Sequence, residues 1–222
     1  MGMENLLNYY FIMKKRFVTV LLACSLAGGL FAQQPWFKDK DLTLTGAYYY
    51  PEHWDESQWE RDFKQMHDLG FEFTHFAEFA WAQLEPEEGK YDFAWLDSII
   101  NDAVGRGIKI WLQASYGNPI YEGGGTPYLK GGWPTSEEGK TAWNRWVEAM
   151  ALHYKGKVYE WEIWNEPDIN KEQIKDYKSL TDLNIRTAEI IKRIEPDAKI
   201  AALALAFADA EFLEKCMQDF KE

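Results

Sequence analysis

The sequence predicts an α/β fold, a (β/α)8 or TIM barrel of which about five β/α units are present. Three observations carry that expectation. Strand-like and helix-like stretches alternate in strict succession, which calls for a parallel sheet with right-handed crossovers. The first strand-to-helix turn, "YYYPEHWDES", lacks the glycine-rich phosphate fingerprint of a dinucleotide-binding open sheet. Polar and aromatic residues gather after successive strands, where barrel enzymes build their sites: Glu52, His53 and Trp54, then Glu78 and Trp81, then Tyr116 and Asn118, then Asn165 and Glu166.

"LTLTGAYYY" (42–50) reads as the first strand. "SQWERDFKQMHDLG" then sets Trp59, Phe63 and Met66 at helical spacing and stops at Gly70, a natural helix end. "FEFTHF" (71–76) is the second strand, and "YDFAWLDSIINDAVGRG" repeats the helical pattern through Phe93, Leu96, Ile100 and Ala103. "IKIWLQAS" (108–115) is a short buried strand, followed by a helix from about Glu137 with Trp143, Trp146, Met150 and Tyr154 on one face. "VYEWEIWN" (158–165) is the fourth strand, and a helix spans about Asp176 to Ile194. "AKIAALAL" (198–205) is the fifth strand, and "DAEFLEKCMQDF" begins a fifth helix. A complete barrel needs eight strands and typically ~250 residues, so residues 33–222 read as the N-terminal portion of a barrel domain.

The first 32 residues stand apart. "MKKRFVTVLLACSLAGGLFAQQ" has a basic start, an apolar stretch and a small residue at Ala32, the pattern of a secretory signal, with residues 1–12 an over-extended start. The expected location is therefore periplasmic or extracellular. "LLAC" also allows lipid attachment at Cys24, which the length of the apolar run past it disfavours. Beyond residue 32 only Cys216 remains of the two cysteines, so no internal disulfide and no cysteine-based metal site is expected. The formal net charge of −12 argues against nucleic acid or an anionic membrane surface as partner, since both need basic patches. Eleven tryptophans fit sugar recognition, because an indole face stacks on the C–H side of a sugar ring. They fit core filling equally.

"YEWEIWNEPDIN" carries the sharpest chemical signal. A general acid for glycosidic cleavage is a carboxyl held protonated by apolar surroundings and neighbouring negative charge. Glu166, at the end of the fourth strand beside Trp161, Ile163 and Trp164, suits that role. Asn165 is placed to hydrogen-bond a sugar hydroxyl beside the reacting carbon. The other substrate-binding candidates are Glu78, Glu52, His53, Trp81, Tyr116, Asn118 and Trp164, with Trp54 a further stacking candidate. Glu78 either contacts substrate or orients a neighbour, and Asp168 reads as a cap. "YEGGGTPYLKGG" (121–132) reads as a mobile loop over the site or a plain insertion.

"GAYYYPEHWDESQWERDFKQMHDLGFEFTHFAEFAWAQLEPEEGKYDFAWLD" (46–97) resembles the opening of glycoside hydrolase family 42, the β-galactosidase type. "WEIWNEPD" resembles the fourth-strand motif of the wider clan A of retaining glycosidases. The resemblance implies a (β/α)8 barrel hydrolysing a β-linked sugar, with Glu166 as acid/base, Asn165 on the 2-hydroxyl, and a nucleophilic glutamate on the seventh strand, beyond residue 222. It implies a carbohydrate substrate, no cofactor and no metal. Pro167 stands where family 42 usually carries an aromatic residue, and the middle stretch "QASYGNPIYEGGGTPYLKGGWPT" is unlike that family, so β-xylosides and β-glucosides stay open as substrates; His75 stands where the family's second-strand arginine is expected. A non-catalytic carbohydrate-binding barrel is the alternative from another class. A lyase or isomerase would need a histidine cluster or a lysine at the strand ends, whereas Lys109 opens its strand.

Overall fold

A computed structural model describes residues 44–127, 132–169, 176–207 and 209–220. The leader (1–32) and the middle of the glycine-rich segment lie outside the described residues. Five strands form one parallel sheet in sequential order: β1 (Gly46–Tyr48), β2 (Phe73–Phe76), β3 (Lys109–Gln113), β4 (Glu160–Glu162) and β5 (Lys199–Ala201). Six α-helices accompany them among the described residues: α1 (Glu56–Asp68), α2 (Trp81–Leu84), α3 (Ala94–Gly105), α4 (Glu137–His153), α5 (Tyr177–Ile194) and α6 (Ala210–Asp219). The order never reverses, so every crossover runs the same way and the helices cover one face. This is a partial (β/α)8 barrel.

Local chemistry sets the helix ends. Asp55 caps α1 by accepting from the Ser57 N–H, Ser136 caps α4 through Gly139 and Asp209 caps α6 through Phe212. α1 buries Trp59, Phe63 and Met66, the spacing that marked it in sequence. α2 was not foreshadowed by any periodicity; it is a single turn that drives Trp81 and Leu84 inward.

Register decides which side chains reach the helices and which reach the lumen. Phe76, Leu112, Trp161 and Ile200 are aligned across four strands, and Phe76 meets Phe63 of α1 edge-to-face at 5.5 Å. The neighbouring row, Tyr48, His75, Trp111, Glu160 and Lys199, therefore faces the opposite way, as do Gln113 and Glu162. The hydrophobic core lies between sheet and helices. Trp81, Trp143 and Trp146 are fully buried there, and the Trp146 indole donates to the Ala114 carbonyl at 3.0 Å.

Candidate active site

Because the strands are parallel, the segments that follow them all open on one rim. Glu52 and His53 sit in the single 3-10 turn Pro51–His53 after β1, Glu78 two residues past β2, Tyr116 three past β3, and Asn165 and Glu166 just past β4. Hydrogen bonds join them. Glu78 Oε1 accepts from Asn165 Nδ2 at 2.7 Å and from the Tyr116 hydroxyl at 2.9 Å. The Tyr116 hydroxyl also lies 3.3 Å from the Asn165 carbonyl oxygen. Glu52 Oε1 accepts from the Phe79 N–H at 3.1 Å, tying the rim of β1 to that of β2.

Among the described residues, two non-glycines take the left-handed backbone region, Ala77 (φ 70°) and Glu166 (φ 50°), and they flank this network. Such geometry costs on the order of 1–3 kcal/mol and persists only where surroundings enforce it. At Glu166 the enforcement is visible: its N–H donates to the Ala204 carbonyl at 2.7 Å, and Asn165 forms an isolated parallel bridge with Ala204. Asp168 adds to it by accepting from the Ala206 and Phe207 amides at 2.8 and 2.9 Å. It thus binds the segment after β5 to the segment after β4, where the sequence suggested a local cap.

The site is strongly acidic. The Glu166 carboxyl is raised above the ordinary glutamate range, first by burial and then by the charges of Glu78, Asp168 and Glu162. Glu52 is raised too, chiefly by burial. Tyr50 and Tyr116 are pushed well above the usual phenol range by burial and by Glu78. A carboxyl whose ionisation is disfavoured by burial and neighbouring negative charge is suited to donating a proton.

The remaining candidates divide. His53 is exposed and stacks on Tyr50 and Phe79 with ring centroids 5.8 and 5.0 Å away, and Trp54 is 53% exposed nearby. Three others do not face the mouth. The Trp81 indole is buried, stacked on Trp146 and donating to Glu85 Oε2 at 2.6 Å, so it packs the core instead of offering a platform. Asn118 is buried and spends its amide on the Glu85 carbonyl at 2.9 Å, and its oxygen on the Ile120 N–H at 3.2 Å. Trp164 is buried edge-to-face against Tyr116 at 5.1 Å, backing the network from behind. In the glycine-rich segment, Gly124 and Gly125 pack against Gly117, too closely for a Cβ there, so the described part is wedged.

Below the rim, His75 stands out in the sequence only as a departure from the family pattern, and Glu162 not at all. His75 Nε2 and Glu162 Oε2 lie 3.5 Å apart, both side chains nearly fully buried, on the lumen face of β2 and β4. The alternation in "YEWEIW" carried the signal, since period two sets Glu160 and Glu162 on one face and Trp161 and Ile163 on the other. Among the described residues, no group of three or more His, Cys, Asp or Glu side chains is arranged to hold a metal ion, and no helix is long and apolar enough to cross a membrane.

The fold is that of part of a clan A glycosidase-like barrel, with five β/α units. Comparison with known proteins agrees. The family model described as β-galactosidase, glycoside hydrolase family 42, matches residues 48–120. The β-galactosidase BgaA of Clostridium cellulovorans is 46% identical over 80 residues, 35% of this chain and 12% of that protein. The β-galactosidase BbgII of Bifidobacterium bifidum is 34% identical over 139 residues, 54% of this chain and 20% of that protein. Among solved structures, a family 39 glycoside hydrolase from the gut symbiont Bacteroides cellulosilyticus WH2 superposes with TM-score 0.57 at 25% identity, over 70% of this chain and 30% of that one. The chain thus spans well under half the length of each of these relatives, and the likenesses divide between families 42 and 39.

Proposed function

We propose that this chain carries the acid/base half of an exported retaining β-glycosidase, acting on β-galactosides. The single observation that carries the reading is Glu166. It sits at the rim after β4 with a carboxyl raised above the glutamate range, next to an asparagine engaged by Glu78. In the first step Glu166 hands its proton to the departing sugar oxygen while a second carboxylate, about 5 to 5.5 Å away, attacks the anomeric carbon. Glu166, now ionised, then takes a proton from the water that releases the sugar. The β-galactosidase family model and relatives support the substrate class. The leader-like residues 1–32 support export.

The second carboxylate comes from a seventh strand, outside these five units. Asp168, Glu78 and Glu52 accept amide or hydroxyl donors at the rim, and in this reading they brace the site while the nucleophile comes from that strand. On that ground the five units alone bind sugar without cleaving it. The test is a panel of aryl glycosides assayed with the full-length protein and its Glu166→Gln variant. We expect a loss of about 10²–10⁴-fold for the variant, greatest on substrates whose leaving group needs a proton. A variant as active as the parent overturns the assignment.

A further inference from the structure

We propose that Glu78 is a positioning residue of this site: its buried carboxylate fixes the Asn165 carboxamide in one orientation and lies beside Glu166 as a negative neighbour. A carboxylate accepts and does not donate, so the Asn165 atom 2.7 Å from Glu78 Oε1 is the amide nitrogen. Asn165 Oδ1 is thereby turned away from Glu78, leaving its acceptor for a substrate hydroxyl. Tyr116 donates to the same Oε1 and lies against the Asn165 main-chain oxygen, which closes a three-membered network across the rims of β2, β3 and β4.

The second oxygen of Glu78 makes this more than a brace. Oε2 is buried without a hydrogen-bond partner, and the residue is only 4% exposed. A charge so poorly hydrated acts on its neighbours with little screening. The groups that face this pair are Tyr48 and Tyr50 from β1 and its end, Glu52 and His53 from the following turn, His75 from β2, Tyr116 after β3, Glu162 on β4 and Asp168 beyond it. The phenols stay neutral, pushed up by the same surroundings, so the charges that oppose ionisation of Glu166 are those of Glu78, Asp168 and Glu162.

The experiment is a ¹³C NMR titration of glutamate side-chain carboxyls in this chain, with Glu166→Gln identifying the Glu166 signal. We expect that signal to titrate above the ordinary glutamate range in the parent and to shift downward in Glu78→Gln, which keeps the acceptor and removes the charge. An unmoved titration overturns the electrostatic role. The parent protein gives a second reading that needs no variant at position 78. One Asn165 Nδ2 proton is expected downfield and slow to exchange relative to its twin, and equivalent, fast-exchanging protons overturn the positioning role. The catalytic meaning rests on the acid/base role proposed above; both spectroscopic readings are independent of turnover, so either idea can fail alone.

Discussion

Glu78 Oε1 and Asn165 Nδ2 lie 2.7 Å apart across a sequence separation of 87 residues, and this contact joins the rims of two strands that are not neighbours in the sheet. Its energy comes from low exposure. A charge-assisted hydrogen bond of this kind is worth about 1.5–3 kcal/mol, more than a neutral pair.

Glu166 makes stability depend on pH. Its folded-state value is raised, so its ionised form is disfavoured in the native protein. The stability it allows is complete below the ordinary glutamate range and is lost as pH rises through the raised folded value. Glu166→Gln is therefore expected to be more stable than the parent at pH 7, with the gap closing toward pH 4. Urea midpoints measured across that interval check it.

Glu85 is a buried hub. It accepts from the Trp81 indole at 2.6 Å, the Tyr121 hydroxyl at 2.6 Å and the Gly89 amide at 2.8 Å. Glu85→Ala strands three donors and is expected to cost about 3 kcal/mol or more. Lys64→Ala, which breaks only the exposed pair with Asp68, is expected to cost under about 0.5 kcal/mol. Denaturation of the two variants side by side measures the contrast.

Two glycines should respond in opposite directions. A Cβ at Gly117 would come within 2.5 Å of the Gly124 carbonyl oxygen and 2.7 Å of Gly125 backbone, neither of which yields easily. Gly117→Ala is expected to destabilise by about 1–3 kcal/mol. Gly105 ends α3 with nothing near it, so Gly105→Ala is expected to stabilise by about 0.5 kcal/mol. Thermal melts read both.

Cys216 should be chemically quiet. The thiol is buried in α6 and pushed up to about 11, by burial first and Asp219 second. Thiolate is the reactive form, so alkylation at pH 8 is expected to be slow in the native protein and rapid in urea. Mass spectrometry of the alkylated protein reads the rate.

Much of this was legible beforehand, for identifiable reasons. α1, α4 and α5 follow from apolar residues at helical spacing, with Trp59, Phe63 and Met66 buried in the first and Trp143, Trp146 and Met150 in the second. The sequence stretches 158–165 and 198–205 overreach the paired strands Glu160–Glu162 and Lys199–Ala201, and the described part of the first stretch, 44–50, overreaches Gly46–Tyr48. A parallel ladder ends where the chain turns out toward the rim, while β-favouring residues continue past it. The tryptophans were ambiguous because loops have no period: Trp54 is exposed, whereas Trp81 is core. Glu85 was invisible for a similar reason. In "EPEE" it is buried while Glu87 and Glu88 are exposed, and only the fold of the flanking loops separates them.

The backbone at position 166 has an evolutionary reading. A glycine would adopt this twist at no torsional cost, so the residue best matched to the main chain differs from the one the proposed acid/base role requires. On the proposed acid/base role, a relative that had lost that role would be relieved by glycine here, and the letter at this position would record whether the role is still under selection.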